Sequence, residues 1–335
     1  MAISILTTPG APKSIREERP SSVSTQPKDL PAYKRIIYKL LFLFGLTEFA
    51  RFCNRTKTMI LCYHGVTKRL GPDPEDRSAI SVNRVLFLAQ LVYIRRRYRV
   101  ISLREYLVKR ENDQRLPPYS VILTFDDGPR NFLTVVAPIL EDLGLPATVF
   151  LVTERVDSRG QSNMGRSWAP VDDQVSLSWS EAGTLQFAPG IEFGSHTCSH
   201  PELPQLNSSE IELELRDSLR AIRNNLHQSG PVGLAYPYGC YSEAADRKAR
   251  SAGYSCALTT DAGSNSTTTD LFRLRRAVVR RYDTIEIFAA RVSGLIGWLR
   301  IARDFFLQTF SSFRLRRLRS GVRSRDETTG HGFIR

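Results

Sequence analysis

Residues 120–126, SVILTFD, are apolar and β-branched almost without interruption. A strand with water on one side would alternate polar and apolar positions. An unbroken run is expected where helices cover both faces of a parallel sheet. Segments of the same kind recur as TMILCYH (58–64), RVIS (99–102), ATVFLV (147–152), IEFGS (191–195), VGLAYPY (232–238) and YSCALTT (254–260). Between them lie stretches with helical spacing: VNRVLFLAQLVYIRRRY (82–98), LTVVAPILEDLG (133–144) and SSEIELELRDSLRAIRNNL (208–226). Strand, helix, strand in that order means an α/β fold with a parallel sheet, open or closed into a barrel. A chain of 335 residues suits one large α/β-barrel domain or two ordinary ones. The polar stretch 154–174 lacks periodicity, and a loop of that length is expected to serve function, as a rim over a site. No internal repeat is evident.

Charge is distributed unevenly. The net charge is +13, and residues 291–335 hold ten Arg, no Lys and three acids (Asp304, Asp326, Glu327), which is more than half of the excess. That disfavours a uniform nucleic-acid-binding surface and suits a basic tail for an anionic surface. Five cysteines, Cys53, Cys62, Cys198, Cys240 and Cys256, are odd in number and show no C-x-x-C spacing. They do not read as a disulfide framework, so a reducing, cytoplasmic compartment is expected. No secretory signal is visible, and residues 1–30, rich in Ser, Pro and charge, read as a disordered leader. An apolar and basic N-terminal helix is expected over 31–57. Its apolar run, IIYKLLFLFGL (36–46), is interrupted by Lys39 and is shorter than the roughly 20 residues that span a bilayer. It suits either a helix covering the core or one lying on a membrane surface.

In parallel α/β folds ligands bind at the carboxyl ends of the strands. Four strand candidates end in polar constellations: His64 after TMILCY, TFDDGPR (124–130), GSHTCSH (194–200) and YPYG (236–239). His196 and His200, four residues apart, would share a face on a helical turn, but two imidazoles make only half a tetrahedral site. The spacing alone fits a ligand pair or an accident, and DDG alone fits a simple turn. A carboxylate from another strand end has to complete a catalytic metal site.

TFDDGP, followed by GSHTCSHPEL about seventy residues later and then by AYPYG, resembles the polysaccharide deacetylases of the NodB-homology type, carbohydrate esterase family 4. The resemblance covers roughly residues 58–290. It implies a distorted (β/α) barrel, with extra N- and C-terminal tails, that hydrolyses N-acetyl groups on amino sugars with a divalent metal. Asp127, His196 and His200 then form the ligand set of a catalytic zinc with one open position, where bound water is acidified towards a pKa of about 7. Asp126 would be the general base, with the turn at Gly128 and Pro129 bringing both carboxylates to the site. The resemblance makes the backbone N–H of Tyr238, after Pro237, the donor to the developing oxyanion, and places Pro237 and Tyr238 against substrate. Family members often carry an arginine two residues before that proline to hold the base, whereas this chain has Ala235. Arg276, in LRRAVV, is the candidate replacement, with Arg273 and Arg275 close by. The acid that protonates the leaving amine is usually a late histidine. His227 and His331 sit in no matching motif, so His64 is the candidate, in an arrangement that looks like the circularly permuted exopolysaccharide deacetylases.

The expected substrate is an N-acetylated polysaccharide or a lipid-linked glycan. A deacylase of a non-sugar amide and an inactive carbohydrate-binding relative are the alternatives, the latter suggested by Ala235 and the missing late histidine. In residues 293–319, Leu295, Trp298, Leu299, Ala302, Phe305, Phe306, Phe310 and Phe313 recur at helical steps beside Arg300, Arg303 and Arg314. Residues 291–335 therefore read as a basic amphipathic helix and tail, and peripheral contact with an anionic inner leaflet is expected of them.

Overall fold

The computed structural model describes residues 30–68, 80–157, 175–228 and 230–303. The expected disordered leader, most of the expected rim loop and the tail beyond residue 303 lie outside the described residues.

The strands are β1 (Met59–Tyr63), β2 (Val66–Thr67), β3 (Val82–Asn83), β4 (Arg99–Val100), β5 (Ser120–Phe125), β6 (Ala147–Leu151), β7 (Ile191–Ser195), β8 (Gly233–Ala235), β9 (Cys256–Leu258) and β10 (Ala277–Val278). Eight form one sheet in the order β10-β1-β5-β6-β7-β8-β9, with β4 beside the start of β5, and every pairing is parallel. The sheet curls into a half-barrel. Residues 271–274 narrow the seam between β9 and β10, since Leu274 N donates to Ala257 O and Thr259 N donates to Leu274 O. The helices are α1 (Ala32–Leu43), α2 (Leu46–Cys53), α3 (Arg84–Arg97), α4 (Leu103–Glu111), α5 (Ala137–Leu143), α6 (Trp179–Leu185), α7 (Ser208–Asn225), α8 (Glu243–Ala252) and α9 (Ile285–Val292).

Local chemistry sets several boundaries. Asn83 caps α3 by accepting from Leu86 N, and capping boxes start α6 (Ser178 with Glu181) and α7 (Asn207 with Glu210). α5 stops at Gly144, which takes a left-handed conformation. The helix expected over 133–144 is not uniform, because Phe132–Val136 is wound as a π-helix before α5 begins. The single helix expected over 31–57 is two helices, broken at Phe44 and at Gly45, whose φ is 72°. After α9 the chain turns at Gly294, φ 82°, and re-enters helix over 295–303.

The period of two in the strands divides the core. Val121, Leu123 and Phe125 point outward to the helices, with Leu61 and Val149. Ile60, Ile122, Phe150, Cys256 and Leu258 point into the barrel, where α4 adds Leu103, Tyr106 and Leu107 and closes the amino ends of the strands. Continuing along the inward face of β5 gives Ile122, Thr124, then Asp126. The interior thus passes from an apolar floor to polar groups at the carboxyl ends, where the site lies.

Candidate active site

Asp126, first residue after β5, is 2% exposed, and its carboxylate receives two hydrogen bonds from one guanidinium. Arg276 Nη1 donates to Oδ1 at 2.7 Å and Nη2 to Oδ2 at 2.8 Å, while its Nε donates to Thr259 O at 2.9 Å. Burial would push the Asp126 carboxyl up. The Arg276 charge outweighs it, with help from His196 and His64, and holds the acid well below the usual carboxylate range. Of the three arginines in that stretch, only Arg276 reaches Asp126. Arg273 pairs with Asp246 and Glu243, and Arg275 is exposed. Ala235 contributes its carbonyl, which accepts from His196 Nδ1 at 2.7 Å.

That last bond fixes a tautomer. A carbonyl only accepts, so Nδ1 of His196 carries the proton and Nε2 keeps its lone pair. Nε2 of His196 lies 3.7 Å from Asp127 Oδ1, and Nε2 of His200 lies 3.6 Å from the same oxygen. Asp127 Oδ1 is buried with no hydrogen-bond donor among the described residues. Ligands bound at about 2.1 Å around a tetrahedral ion stand about 3.4 Å apart, so each histidine stands from Asp127 Oδ1 about as such an ion needs. Burial pushes both imidazoles down to about 4, His200 with help from the charge of Arg155, so near pH 7 both are neutral and able to ligate. The residues present fit a divalent metal, and this triad is the candidate site.

The backbone that achieves this is not the one expected. His196 and His200 do not lie on a helical turn. They follow β7 in a loop where Thr197 and His200 have φ of 66° and 69°, and the rings still meet at 4.6 Å between centroids. The expected turn at Gly128 and Pro129 begins one residue earlier, since Asp127 itself has φ 69° ahead of Gly128 at 61°. In an extended chain Asp127 would point outward like Phe125, and the reversal brings its carboxylate back over the mouth to the histidines. Non-glycine residues seldom take this conformation, and clusters of them occur where a site over-determines the backbone.

Tyr238 is held the same way, φ 58°, between buried Pro237 and Gly239 at φ 73°. A Cβ on Gly239 would lie 2.0 Å from Thr260 Oγ1 and 2.5 Å from Thr260 N, so only glycine fits the turn. The Tyr238 ring, 48% exposed, packs edge-on to His200 at 4.6 Å and forms part of the mouth. His64, after β1, belongs to the same centre: one ligand-type atom from each of Cys62, His64 and Asp126 lies within 4.8 Å of the others. His64 Nδ1 is buried without a hydrogen-bond partner among the described residues. The late histidine within the described residues, His227, follows the end of α7.

Two supports escaped the sequence reading. Glu214 on α7 accepts from Cys198 N and Ser199 N, both at 2.9 Å, and from Ser199 Oγ at 2.6 Å, so it clamps the loop between the histidines. Its only signal was an acid on the inner side of α7, beside buried Ile211, Leu215 and Ser218. Cys62 Sγ donates to Asp126 Oδ2 at 3.3 Å, and its inward position followed from the strand period beside Ile60.

With this geometry in hand, residues 113–257 match the family model described as polysaccharide deacetylase. Over those residues the chain carries a polysaccharide deacetylase domain. It is 25% identical over 240 residues to a Bacillus subtilis (strain 168) protein named as a polysaccharide deacetylase, YxkH, covering 71% of this chain and 77% of that one. It is 22% identical over 244 residues to the poly-β-1,6-N-acetyl-D-glucosamine N-deacetylase of Escherichia coli (strain K12), covering 65% of this chain but only 36% of that protein. Among solved structures, the Streptococcus pyogenes deacetylase PplD in complex with acetate is similar with a TM-score of 0.60 and 25% identity, over 70% of this chain and 98% of that one. The deacetylase domain thus has its fold in common with enzymes that hydrolyse carbon–nitrogen bonds.

Proposed function

We propose that this deacetylase domain removes N-acetyl groups from an amino-sugar glycan with the help of a divalent metal, zinc by its ligand set. The reading is carried by the convergence of Asp127 Oδ1 with Nε2 of His196 and His200, next to an ionised, arginine-held Asp126. A metal held by that triad would supply acidified water and polarise the amide carbonyl. Asp126, bordering the triad on one side, takes the water's proton as general base, and Arg276 fixes the carboxylate for that role. His64, clustered with Asp126 and Cys62, gives a proton to the leaving amine. The N–H of Tyr238 donates to the carbonyl oxygen as it gains charge, and the exposed Tyr238 ring together with Pro237 borders the sugar. The chain's similarity to a relative named for poly-β-1,6-N-acetyl-D-glucosamine favours an N-acetylglucosamine polymer over a lipid-linked glycan.

The test combines metal analysis with acetate release from β-1,4- and β-1,6-linked N-acetylglucosamine oligomers. The purified protein is expected to hold about one metal per chain, and chelation should abolish acetate release until metal is restored. His196→Ala and Asp127→Ala should lose metal and turnover together, whereas Asp126→Asn should keep the metal and lose turnover. Full turnover after complete chelation, or full activity in Asp126→Asn, would overturn the mechanism. Metal binding without acetate release from any amino-sugar oligomer would overturn the substrate class.

A further inference from the structure

α1 is a 12-residue helix without one buried side chain. An isolated helix of that length is marginal in water, and helices in proteins are held by packing an apolar face. One side of α1 does pack: Tyr38 and Leu41 sit against Ala50, Ala290 and Leu295, beside Ile296 and Trp298 of the helix over 295–303. The other side carries a second apolar stripe. Tyr33, Ile36, Leu40 and Leu43, then Phe44, recur at three- and four-residue steps and are 45% to 77% exposed. α2 extends the stripe with Phe49 and Phe52, 64% and 54% exposed. Soluble surfaces carry large apolar side chains singly, whereas a contiguous exposed face marks an interaction site.

The charges around the face say what covers it. Residues 30–57 hold six basic side chains against one acid, Glu48, which is engaged by Arg51 and Arg97. Lys34 and Lys39 border the stripe and are exposed. Arg291 and Arg300 act electrostatically on Tyr38 of α1, and with Arg280 they line a cavity of about 140 Å³ that has no acidic side chain in its wall. Arg291 is paired with Asp283, and Arg276, which also lines the cavity, with Asp126, so among the described residues Arg280 and Arg300 carry its uncompensated charge. A second copy of the chain would bring this basic border against itself. The chain's own residues 304–335 carry seven Arg against three acids and would be repelled too. An apolar surface fringed with negative charge is the complement, and no helix among the described residues is long and apolar enough to cross a membrane.

We propose that the α1–α2 face docks flat on an anionic lipid bilayer, with Tyr33, Ile36, Leu40 and Phe44 in the interface and Lys34 and Lys39 at the headgroups. α2 hands the chain to the amino end of β1, whereas His64, Asp126 and His196 follow the carboxyl ends of their strands. The docked enzyme therefore holds its mouth at the end of the barrel away from the entry of this anchor. The inference does not rest on the reaction assigned above.

The full-length protein is sedimented with vesicles of phosphatidylcholine alone and of phosphatidylcholine with phosphatidylglycerol. Wild type should bind the anionic vesicles at low salt and be released as salt rises. Ile36→Glu/Leu40→Glu/Phe44→Glu changes only exposed positions. It should keep the wild-type melting temperature and acetate release from a soluble oligomer, yet lose at least tenfold in vesicle binding. Lys34→Gln/Lys39→Gln should lose most of the preference for anionic vesicles, since each basic residue at such a surface is worth roughly fivefold. In Phe44→Trp, brominated lipid should quench the new indole. Wild type that ignores anionic vesicles, or a triple variant that binds them unchanged, overturns the proposal. So does a dimer that the triple variant converts to monomer without any vesicle binding, which would assign the face to a second copy. Loss of binding on deleting residues 304–335, with binding intact in the triple variant, would move the contact to that segment.

Discussion

Replacing Arg276 with Met keeps a long apolar stem in the barrel and removes the charge that faces Asp126. Two charge-assisted bonds to the carboxylate are lost, at 2.7 and 2.8 Å, along with the bond from Nε to Thr259 O. Leaving one partner of a buried ion pair behind costs about 3–5 kcal/mol. The pH dependence distinguishes this from simple loss of packing. In wild type the Asp126 carboxyl lies below its unfolded value of about 3.9, so its contribution is fully present above that value and is lost only as pH falls through the lower folded value. Between pH 7.5 and pH 5 it is constant. In Arg276→Met burial is opposed only by the weaker pull of His196 and His64, the carboxyl rises above its unfolded value, and the folded state now takes up a proton as pH falls. The destabilisation measured by urea unfolding of the metal-free protein should therefore be about 3–5 kcal/mol at pH 7.5 and clearly smaller at pH 5. Taking the difference between the two proteins at each pH cancels the histidines, which titrate in both. In an Asp126→Asn background the same Arg276→Met change should cost far less, because no anion is stranded. Equal destabilisation at both pH values, or an equal cost in the Asn background, would refute the account.

Glu214→Ala removes three hydrogen bonds from the loop between His196 and His200 and should weaken metal affinity by about 10–100-fold with little change in the Asp126 environment, checked by metal titration. His64→Ala should lower kcat on acetamide substrates by about 10²–10⁴, and less on esters with good leaving groups, in parallel kinetic assays. In the metal-free protein, His196 and His200 are buried neutral with values near 4, so their contribution is intact above pH 6.5 and drains away as pH falls towards 4. Unfolding free energy of the metal-free His196→Gln variant should depend less on pH over that window than that of metal-free wild type.

The parallel sheet was legible because SVILTF, ATVFL and MILCY are apolar on both faces, and the candidate metal triad because two polar motifs that end such strands, TFDDGP and GSHTCSHPEL, resemble those of a known family. The left-handed turns at Asp127, Thr197 and His200 were not legible, since none of these residues needs that conformation for itself and only the assembled site imposes it. Which of three arginines meets Asp126 was equally hidden. Arg273, Arg275 and Arg276 share one local context, and the choice is made by a partner 150 residues away. The apolar run 36–46 could be read as covering the core or a membrane surface. The break at Gly45 and the two-sided character of α1 emerge only once Tyr38 and Leu41 find α9 and the helix beyond it.

The bond between Arg276 and Asp126 also bears on the order in which the molecule can form. The strands that carry Asp126, Asp127 and the two histidines, and the β8 that carries the Ala235 carbonyl, all leave the ribosome before β10 does. Until β10 pairs with β1, Asp126 has no arginine to face, and burying it then would strand an anion in the interior. The last strand among the described residues thus brings the counter-ion that makes burial of Asp126 favourable, and contacts this distant in sequence slow the search. A chain interrupted before residue 276 would hold Asp127, His196 and His200 and still lack the cation that keeps Asp126 ionised in the interior.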